Sequence, residues 1–269
     1  MNDISERGMV LVGCGKMGSA MLAGWLAQGM VAAAIHVIEP HPSAWLQATG
    51  VNLNGTLPKQ PALVLVAVKP QMMGAALPQV QPYGGGNTVF LSIAAGTPMA
   101  AFEAALGEGT PIIRAMPNTP AAIGQGITAL VGNAQVTPAQ MDVAEGLLAA
   151  IGQTVRLDSE AQIDAVTGVS GSGPAYVFHL IETLAAAGVE QGLPAPLAMR
   201  LAKATVAGAG ALAAADDADP ATLRVNVTSP NGTTQAALAV LMDRETGFPA
   251  LVSKAVDAAT RRSEELGRG

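Results

Sequence analysis

The sequence predicts a doubly wound α/β sheet followed by an all-α second half. Through about Asp158, short apolar or β-branched runs alternate with helical patterns, which is the order expected of a parallel sheet with crossover helices. From about Glu160 the strand signals fade and Ala-rich helical segments take over. Because 269 residues are enough for two cores, we expect one domain over residues 1–158 and a second over residues 159–269.

Each predicted strand is a short run dominated by apolar or β-branched residues. The first five are expected to be parallel, and two more follow them. Ligands of such sheets bind at the carboxyl ends of the strands, so the residues that follow each strand are the first candidates for a site. In chain order the strands are Met9–Val12, Ile35–Ile38, Leu63–Val68, Thr88–Ile93, Pro111–Ala115, Ile127–Val131 and Thr154–Leu157.

Helices are predicted from apolar periodicity and from proline or glycine at the helix ends. The stretch from Met17 to Ile35 is uncharged and nearly long enough to span a membrane, but glycines interrupt it, so we expect a buried helix and a turn. The helices of the first half are Met17–Gln28, Ser43–Thr49, Pro70–Val80, Pro98–Leu106 and Pro138–Ala150. Those of the second half are Pro174–Gln191, Pro194–Ala215, Gly232–Asp243 and Phe248–Leu266.

Charge and composition restrict the partners. The formal net charge is −6 and the sequence has no basic run, which argues against nucleic acid or a membrane as the main partner and favours a small molecule. The single cysteine, Cys14, excludes an internal disulfide framework, and with three scattered histidines no metal site is expected. The acidic N-terminal segment lacks the features of an export signal, so we expect a cytoplasmic protein.

A glycine fingerprint, Gly13-Cys14-Gly15-Lys16-Met17-Gly18, follows the first predicted strand and opens the first predicted helix. In this context Gly13 permits a tight turn, Gly15 lets a pyrophosphate approach the backbone, and Gly18 lets the helix pack on the strand. The helix N-terminus adds free N–H groups and a positive dipole. The pattern predicts a Rossmann-like dinucleotide-binding domain, with a glycine-rich turn that binds no ligand as the alternative.

The residues after the second and third strands bear on the choice of cofactor. Glu39 stands where an acid would bond the ribose of NADH and repel the additional phosphate of NADPH, whereas His41 could pair with that phosphate. The prediction is therefore NADPH or NADH, with no choice between them. The third strand closes with Ala67-Val68-Lys69-Pro70 at its carboxyl end, so Lys69 is predicted to face the nucleotide or, alternatively, to be an ordinary surface lysine.

The segment Val169-Ser170-Gly171-Ser172-Gly173-Pro174-Ala175-Tyr176 is a candidate anion site in the helical half. Its two serines offer hydroxyl donors and its two glycines give a ligand access to the backbone. Its proline suits the first turn of a helix, whose free N–H groups favour negative charge. A carboxylate would fit there, and an ordinary loop before a proline-started helix is the alternative.

Five segments together resemble pyrroline-5-carboxylate reductase, over nearly the whole chain. The last two of them, in this order, are specific to that family. The family usually has Pro-Gly-Gly where this chain has Pro230-Asn231-Gly232, and because Asn tolerates a left-handed backbone, the turn is expected to survive. The five segments are Gly13–Gly18, Ala67–Gln71, Met116–Pro120, Asp164–Tyr176 and Asn226–Thr234.

The resemblance implies hydride transfer from NAD(P)H to the ring C=N of 1-pyrroline-5-carboxylate, which gives L-proline. An imine that arrives protonated already withdraws electrons from the carbon that receives the hydride, so the protein mainly has to orient the reactants. No titratable catalyst is then required. The sequence suits this chemistry, because no lysine occurs between Lys69 and Lys203 and His179 is expected to be structural.

The resemblance also implies site residues. The substrate carboxylate is expected on Ser170-Gly171-Ser172-Gly173 and on the backbone of Gly232 and Thr233. The hydroxyl of Thr234 is expected to meet the ring nitrogen, which makes Thr234 the catalytic contact. Helix capping is the alternative role of both threonines. Asn118 is expected to shape the loop beside the nicotinamide, with a plain proline-rich turn as its alternative.

The helical half is expected to be a dimerisation domain. Members of the family form homodimers in which the C-terminal helices of two chains interleave, and these are often gathered into larger rings. Faces rich in Ala and Gly bring helices close together. A helical half of about 110 residues could bury far more apolar surface with a second copy than alone.

Two other functions share parts of this pattern. A β-hydroxyacid dehydrogenase has the same two-domain plan, but it commonly relies on a lysine in the first long helix of its second domain, and residues 164–200 contain none. A non-catalytic dinucleotide sensor would use the first domain and would not need both the serine-glycine segment and the threonine turn. Turnover of the imine distinguishes the reductase from both.

Overall fold

The computed structural model describes residues 2–268 and shows a Rossmann-like sheet followed by a helical region. The strands are β1 (Met9–Val12), β2 (Ile35–Ile38), β3 (Asn52–Leu53), β4 (Leu63–Val66), β5 (Val89–Ser92), β6 (Ile112–Met116), β7 (Gly126–Gly132) and β8 (Gly152–Arg156). Within these residues they form one sheet in the order β3-β2-β1-β4-β5-β6-β7-β8. The strand order reverses between β1 and β4, which is the switch point where ligands of such sheets bind. The predicted fold class is confirmed.

The strands from β1 to β6 are parallel, as predicted, and β7 runs antiparallel to β6. Arg114 of β6 lies opposite Val131 of β7. The connection between these strands, residues 117–125, is shorter than the dozen or so residues that a parallel crossover needs, so the chain turns back instead. The turn contains the predicted loop of Asn118.

Helices cover both faces of the sheet and make up the second half of the chain. In order they are α1 (Asn2–Arg7), α2 (Lys16–Ala27), α3 (Ala44–Gln47), α4 (Met73–Ala76), α5 (Met99–Leu106), α6 (Pro138–Leu148), α7 (Gln162–Val166), α8 (Gly173–Glu190), α9 (Ala195–Ala215), α10 (Pro220–Asn226), α11 (Thr233–Leu241) and α12 (Phe248–Arg268). The buried helix and turn expected after Met17 are present as α2, which buries Met21, Leu22 and Trp25.

The prediction of one long helix over Pro70–Val80 is wrong. The segment holds only α4, with a 3₁₀ turn before it and another, Leu77–Gln79, after it. Pro78 explains the break, because proline lacks the N–H that an α-helix needs and its ring collides with the carbonyl one turn earlier. The elements α1, β3, α7 and α10 were not predicted individually.

The first half has a hydrophobic core on each face of the sheet. Along β1, Met9 and Leu11 belong to one core, and Val10 and Val12 belong to the other. Every residue of β1, β4, β5 and β6 is buried, which is typical of parallel strands covered on both sides. A rigid sheet of this kind holds the loops at its carboxyl edge in fixed positions.

The chain divides into two compact units. The first runs through Gly171 and also includes the chain from Ala259 onward, and the second is Ser172–Ala258. The domain boundary expected after Asp158 remains a prediction. Within the first unit, the end of α12 is tied down by a hydrogen bond of 2.6 Å from the Ser263 hydroxyl to Asp164 Oδ1.

The second unit is a set of helices that exposes many large apolar side chains. Phe178 on α8 is 59% exposed and Val240 on α11 is 71% exposed. The apolar residues that this unit buries are alanines on α8 and α9, namely Ala185, Ala198 and Ala202. In the part of the chain that is described, one helix, α9, is long and apolar enough to cross a membrane by length and composition, with 11% of the span buried.

Candidate functional site

The glycine fingerprint forms the turn from β1 into α2. Gly13 has a left-handed backbone with a φ of +87°, and a Cβ on it would lie 2.7 Å from Val68 Cγ1. A Cβ on Gly18 would lie 2.6 Å from the carbonyl oxygen of Gly13. A Cβ on Gly15 would meet no atom of the described chain within 4 Å. The protein's own packing therefore requires the first and third glycines, whereas Gly15 leaves space for a ligand at the N-terminus of α2.

Two grooves lie at this edge of the sheet, and Gly15 of the fingerprint lines both of them. Each has a volume of about 320 Å³. They share Gly15, Ala67, Val68 and Lys69, and Pro117 lines the second groove alone. The first also contains Gly13, Glu39 and His41, and the second also contains Lys16, Met17, Pro70, Ala94 and Ala95. The structure thus brings most of the predicted cofactor residues together at the switch point.

The carboxylate of Glu39 is held by backbone N–H groups. Its Oε2 accepts a hydrogen bond of 2.8 Å from Cys14 N–H, and its Oε1 accepts one of 3.0 Å from His41 N–H. Asn54 pairs with the backbone of Glu39 at both the N–H and the carbonyl, each at 2.9 Å. Glu39 therefore places a fixed carboxylate in the first groove, beside the fingerprint.

The thiol of Cys14 is neutral at neutral pH. Burial is the main cause that raises its pKa to about 11, and the negative charge of Glu39 adds to the shift. A neutral thiol does not add a negative charge beside a bound pyrophosphate. The neutral side chain of Cys14 therefore suits a bound pyrophosphate at the fingerprint.

Asn118 links the turn after β6 to the candidate substrate segment. Its Oδ1 accepts a hydrogen bond of 3.0 Å from Ile127 N–H at the start of β7, and its Nδ2 donates one of 3.3 Å to Ser170 Oγ. Pro117, directly before it, lines the second groove. Asn118 therefore ties this loop to β7, and it also contacts a residue that was expected to bind substrate. Its place beside the nicotinamide remains a prediction.

The serine-glycine segment is helical rather than a loop. A π-helical turn, Thr167–Gly171, continues α7, and α8 begins at Gly173 directly after Ser172. The alternative of an ordinary loop before a proline-started helix is therefore wrong in this detail. The side chain of Ser172 makes no capping bond, so its hydroxyl is not used to start α8. Ser170 and Gly171 belong to the first compact unit, and Ser172 and Gly173 belong to the second.

The threonine turn lies at the start of α11, within the second unit. Gly232 is the N-cap, and Thr233 and Thr234 are the first residues of the helix. The N-cap position is therefore held by Gly232 and by neither threonine, and the side chain of Gln235 accepts a bond from Asn231 N–H at this helix start. Asn231 has a φ of +59°, so it does adopt the left-handed backbone that a glycine usually provides at this position.

The other titratable groups near these segments have structural partners. His179 Nδ1 lies 3.2 Å from Glu182 Oε2 on the exposed side of α8, and Asp164 accepts the bond from Ser263. Residues 2–268 contain no group of three or more His, Cys, Asp and Glu side chains that could hold a metal ion.

Comparison with known proteins agrees with this arrangement. The family model described as pyrroline-5-carboxylate reductase dimerisation matches residues 160–266, and the one described as NADP oxidoreductase, coenzyme F420-dependent, matches residues 9–96. The pyrroline-5-carboxylate reductase of Pseudomonas aeruginosa is 42% identical over 264 residues, which cover 96% of this chain and 96% of that protein. That of Synechocystis is 41% identical, with 96% of this chain and 97% of that protein covered.

The chain belongs to the pyrroline-5-carboxylate reductase family. A solved structure of a pyrroline-5-carboxylate reductase from Coxiella burnetii superposes with a TM-score of 0.88 at 31% identity, covering 97% of this chain and 98% of the other. The pyrroline carboxylate reductase of Plasmodium falciparum, solved with NADP bound, gives a TM-score of 0.82 at 28% identity, covering 97% and 98% of the two chains.

Within this reductase fold, sequence reasoning missed part of the second groove. Ala94 and Ala95 follow β5, and Pro117 follows β6, so all three lie at the carboxyl edge of the sheet. The signal that points to them is the one already used for the other strands, because ligands of such sheets bind at the carboxyl ends of the strands.

Proposed function

We propose that this protein reduces 1-pyrroline-5-carboxylate to L-proline with NADPH or NADH. The observation that carries the proposal is the full-length likeness to curated pyrroline-5-carboxylate reductases, at 42% and 41% identity. The groove geometry supports the cofactor half of the proposal. Gly15 provides the space that a pyrophosphate needs, at the N-terminus of a helix and at the switch point of the sheet.

The residues of the first unit would hold the cofactor. Gly13 and Gly18 keep the turn tight, and Gly15 and Lys16 border the pyrophosphate position. The loops after β4 and β5 flank the two grooves, so an extended dinucleotide can lie across the edge of the sheet. Bound NAD(P)H supplies the hydride that reduces the C=N bond.

The substrate contacts are carried over from the family pattern. We assign the carboxylate of the substrate to the hydroxyls of Ser170 and Ser172 with the neighbouring backbone of Gly171 and Gly173. The hydroxyl oxygen of Thr234 would accept a hydrogen bond from the protonated ring nitrogen. Because this nitrogen is already positive, the protein has to orient the ring and hold its charge, and it needs no general acid. Neither threonine of the turn is the N-cap of α11, which leaves this position to Gly232 and supports the assignment.

The preference between the two cofactors depends on the first groove. The Glu39 carboxylate favours the ribose hydroxyl of NADH, whereas the side chain of His41 lines the same groove and could meet the additional phosphate of NADPH. Measuring KM for NADPH and for NADH on the same preparation decides between them. A lower KM for NADH would assign the dominant role to Glu39.

We also propose that the working form is a homodimer, which larger rings could contain. The exposed apolar side chains of α8, α9 and α11 support an interface between two copies. The same interface would cover α9, so its apolar surface does not require a membrane. The net charge of −6 and the single cysteine support a cytoplasmic protein without a nucleic-acid or membrane partner.

Two measurements test the proposed reaction. Oxidation of NADPH and NADH is followed optically with pyrroline-5-carboxylate and, in parallel, with oxo-acids. We expect turnover with the imine alone, and a protein that consumes either cofactor only with the acids would be a different dehydrogenase. In the second measurement, Thr234→Val should lower turnover while the affinity for NADPH stays largely unchanged. A normal rate in this variant would remove Thr234 from the site.

A further inference from the structure

The side chain of Asn118 joins two segments that have separate roles in the proposed reaction. It lies directly after Pro117, which lines the second groove, and it contacts Ser170, which is 52 residues further along the chain. Asn118 and Ser170 are both partly buried, and both belong to the first compact unit. A single amide therefore connects the cofactor side of the sheet edge to the segment proposed to bind the substrate carboxylate.

The partners of this amide fix its orientation. The backbone N–H of Ile127 can only donate, so the atom 3.0 Å from it must be the amide oxygen of Asn118. The amide nitrogen then faces Ser170, 3.3 Å from its hydroxyl oxygen. Because an amide nitrogen is a donor only, the hydroxyl of Ser170 has to accept this bond. Its own proton is consequently directed toward a different acceptor.

We propose that Asn118 is a positioning residue, which holds the Ser170 hydroxyl so that its proton points to the carboxylate of the substrate. This inference rests on the proposed function. A carboxylate is an acceptor only, so a serine that donates to it is useful and a serine that turns its lone pairs toward it is not. The bond to Ile127 N–H anchors the amide to β7, which prevents it from rotating into the opposite orientation.

The test uses Asn118→Asp, Ser170→Ala and the double variant. The carboxylate created by Asn118→Asp can still accept from Ile127 N–H, but it can only accept from Ser170 and so takes the proton meant for the substrate. Thr119→Asp is the matched control, because it adds the same charge at the exposed neighbouring residue without a bond to Ser170. The readouts are KM for pyrroline-5-carboxylate, and the binding of L-proline and of NADPH measured by calorimetry. L-proline is titrated into the complex with NADPH, which cannot react with it.

We expect Asn118→Asp and Ser170→Ala each to weaken L-proline binding and to raise KM for the imine about tenfold, the effect of losing one hydrogen bond to a charged group. Binding of NADPH should change less than about twofold, and Thr119→Asp should have a smaller effect on L-proline than Asn118→Asp. In the Ser170→Ala background, Asn118→Asp should weaken L-proline binding no more than Thr119→Asp does. This non-additivity is the readout that a merely structural role would not produce.

Three results would overturn the proposal. The first is a full tenfold loss of L-proline binding when Asn118→Asp is made in the Ser170→Ala background. The others are a loss of NADPH binding by Asn118→Asp equal to its loss of L-proline binding, and normal L-proline binding by Asn118→Asp. If Asn118→Asp does not fold, Asn118→Ala takes its place, with the same expected non-additivity. A wild-type protein that neither turns over the imine nor binds L-proline would contradict the proposed function. An active wild-type protein with normal Asn118 variants would contradict this inference alone.

Discussion

At the residue scale, the three glycines of the fingerprint have different physical requirements, and paired variants separate them. Gly15→Ala should leave stability within about 1 kcal/mol of wild type, because its Cβ meets no described atom within 4 Å, but it should weaken NADPH binding about tenfold or more. Gly18→Ala should cost about 1–3 kcal/mol of stability, because its Cβ would lie 2.6 Å from the carbonyl oxygen of Gly13. Urea unfolding and NADPH titration measure the two effects.

Equal losses of stability in the two variants would contradict the assignment of Gly15 to the ligand. Undiminished NADPH binding by Gly15→Ala would contradict the cofactor groove itself. The comparison is matched, since the same methyl group is added to the same turn at positions three residues apart.

The thiol of Cys14 provides a prediction about pH. Its pKa is raised from 9.0 to about 11, so the folded state favours the neutral thiol. The stability that this contributes is fully present below about pH 9 and is lost as the pH rises toward 11. Alkylation by iodoacetamide at pH 8 should therefore be about 100-fold slower than that of a free thiol, and should rise with pH.

Because Cys14 is the single cysteine of the chain, mass spectrometry of the alkylated protein reports on this site alone. A rate at pH 8 equal to that of glutathione would show that the thiol is not shielded by burial and by Glu39. Faster alkylation after Glu39→Gln would support the electrostatic part of the shift.

The sequence predicted the backbone geometry of the fingerprint well, because this geometry is local. The left-handed φ of Gly13 and the open space at Gly15 both follow from the strand, turn and helix order. The bond between Asn118 and Ser170 could not be predicted, since it joins residues 52 positions apart and depends on where the loop after β6 and the π-helical turn after α7 lie in the fold. Long-range pairs of this kind leave no local pattern.

At the element scale, the sequence predicted the strands closely and the irregular helices poorly. Strands β1 and β2 have the predicted bounds, because buried parallel strands are compact apolar runs. The helix predicted from Pro70 fails at Pro78, although the residue that causes the break was visible. The two-residue β3 and the π-helical turn at Ser170 are too short or too irregular to produce a periodic signal.

An ion pair between the buried Arg114 and the partly exposed Glu160 ties β6 to the chain before α7. The side chain of Arg114 is 5% exposed, and its Nη1 lies 2.7 Å from Glu160 Oε1. The same oxygen accepts a hydrogen bond from Met99 N–H at the start of α5. Glu160→Gln should lower the free energy of unfolding by about 2–3 kcal/mol, because it leaves a buried guanidinium without its counter-charge. Urea unfolding gives this value.

The control is Glu265→Gln, which removes the partner of Arg262 in an ion pair where both side chains are more than half exposed. That substitution should change the stability by less than about 0.5 kcal/mol. Equal effects of the two substitutions would show that burial does not strengthen the Arg114 pair.

At the scale of the whole molecule, the exposed apolar surface of the second unit predicts self-association. Val240→Asp should weaken the homodimer and lower activity with it, because a charge would replace an apolar group that is 71% exposed in the single chain. Val31→Asp is the control, since Val31 is 62% exposed and belongs to the first unit, not to the helices expected to pair. Light scattering at micromolar concentration measures the mass of each variant.

A wild-type protein that is monomeric and fully active would contradict the dimer. A shift toward monomer in Val31→Asp as large as that in Val240→Asp would show that the apolar surface of the second unit is not the specific interface. The sequence predicted the change from sheet to helices near Glu160, because the composition changes there. It could not predict that the chain from Ala259 onward groups with the first unit, since this depends on distant contacts such as that of Ser263 with Asp164.

The most direct test of the proposed reaction follows one hydrogen atom. NADPH that carries deuterium at the reactive carbon of its nicotinamide is incubated with the protein and pyrroline-5-carboxylate, and the product is analysed by mass spectrometry and NMR. We expect L-proline with one deuterium on the ring carbon that is next to the nitrogen and does not bear the carboxylate. Oxidation of the cofactor without labelled proline, or no oxidation in the presence of the imine, would contradict it.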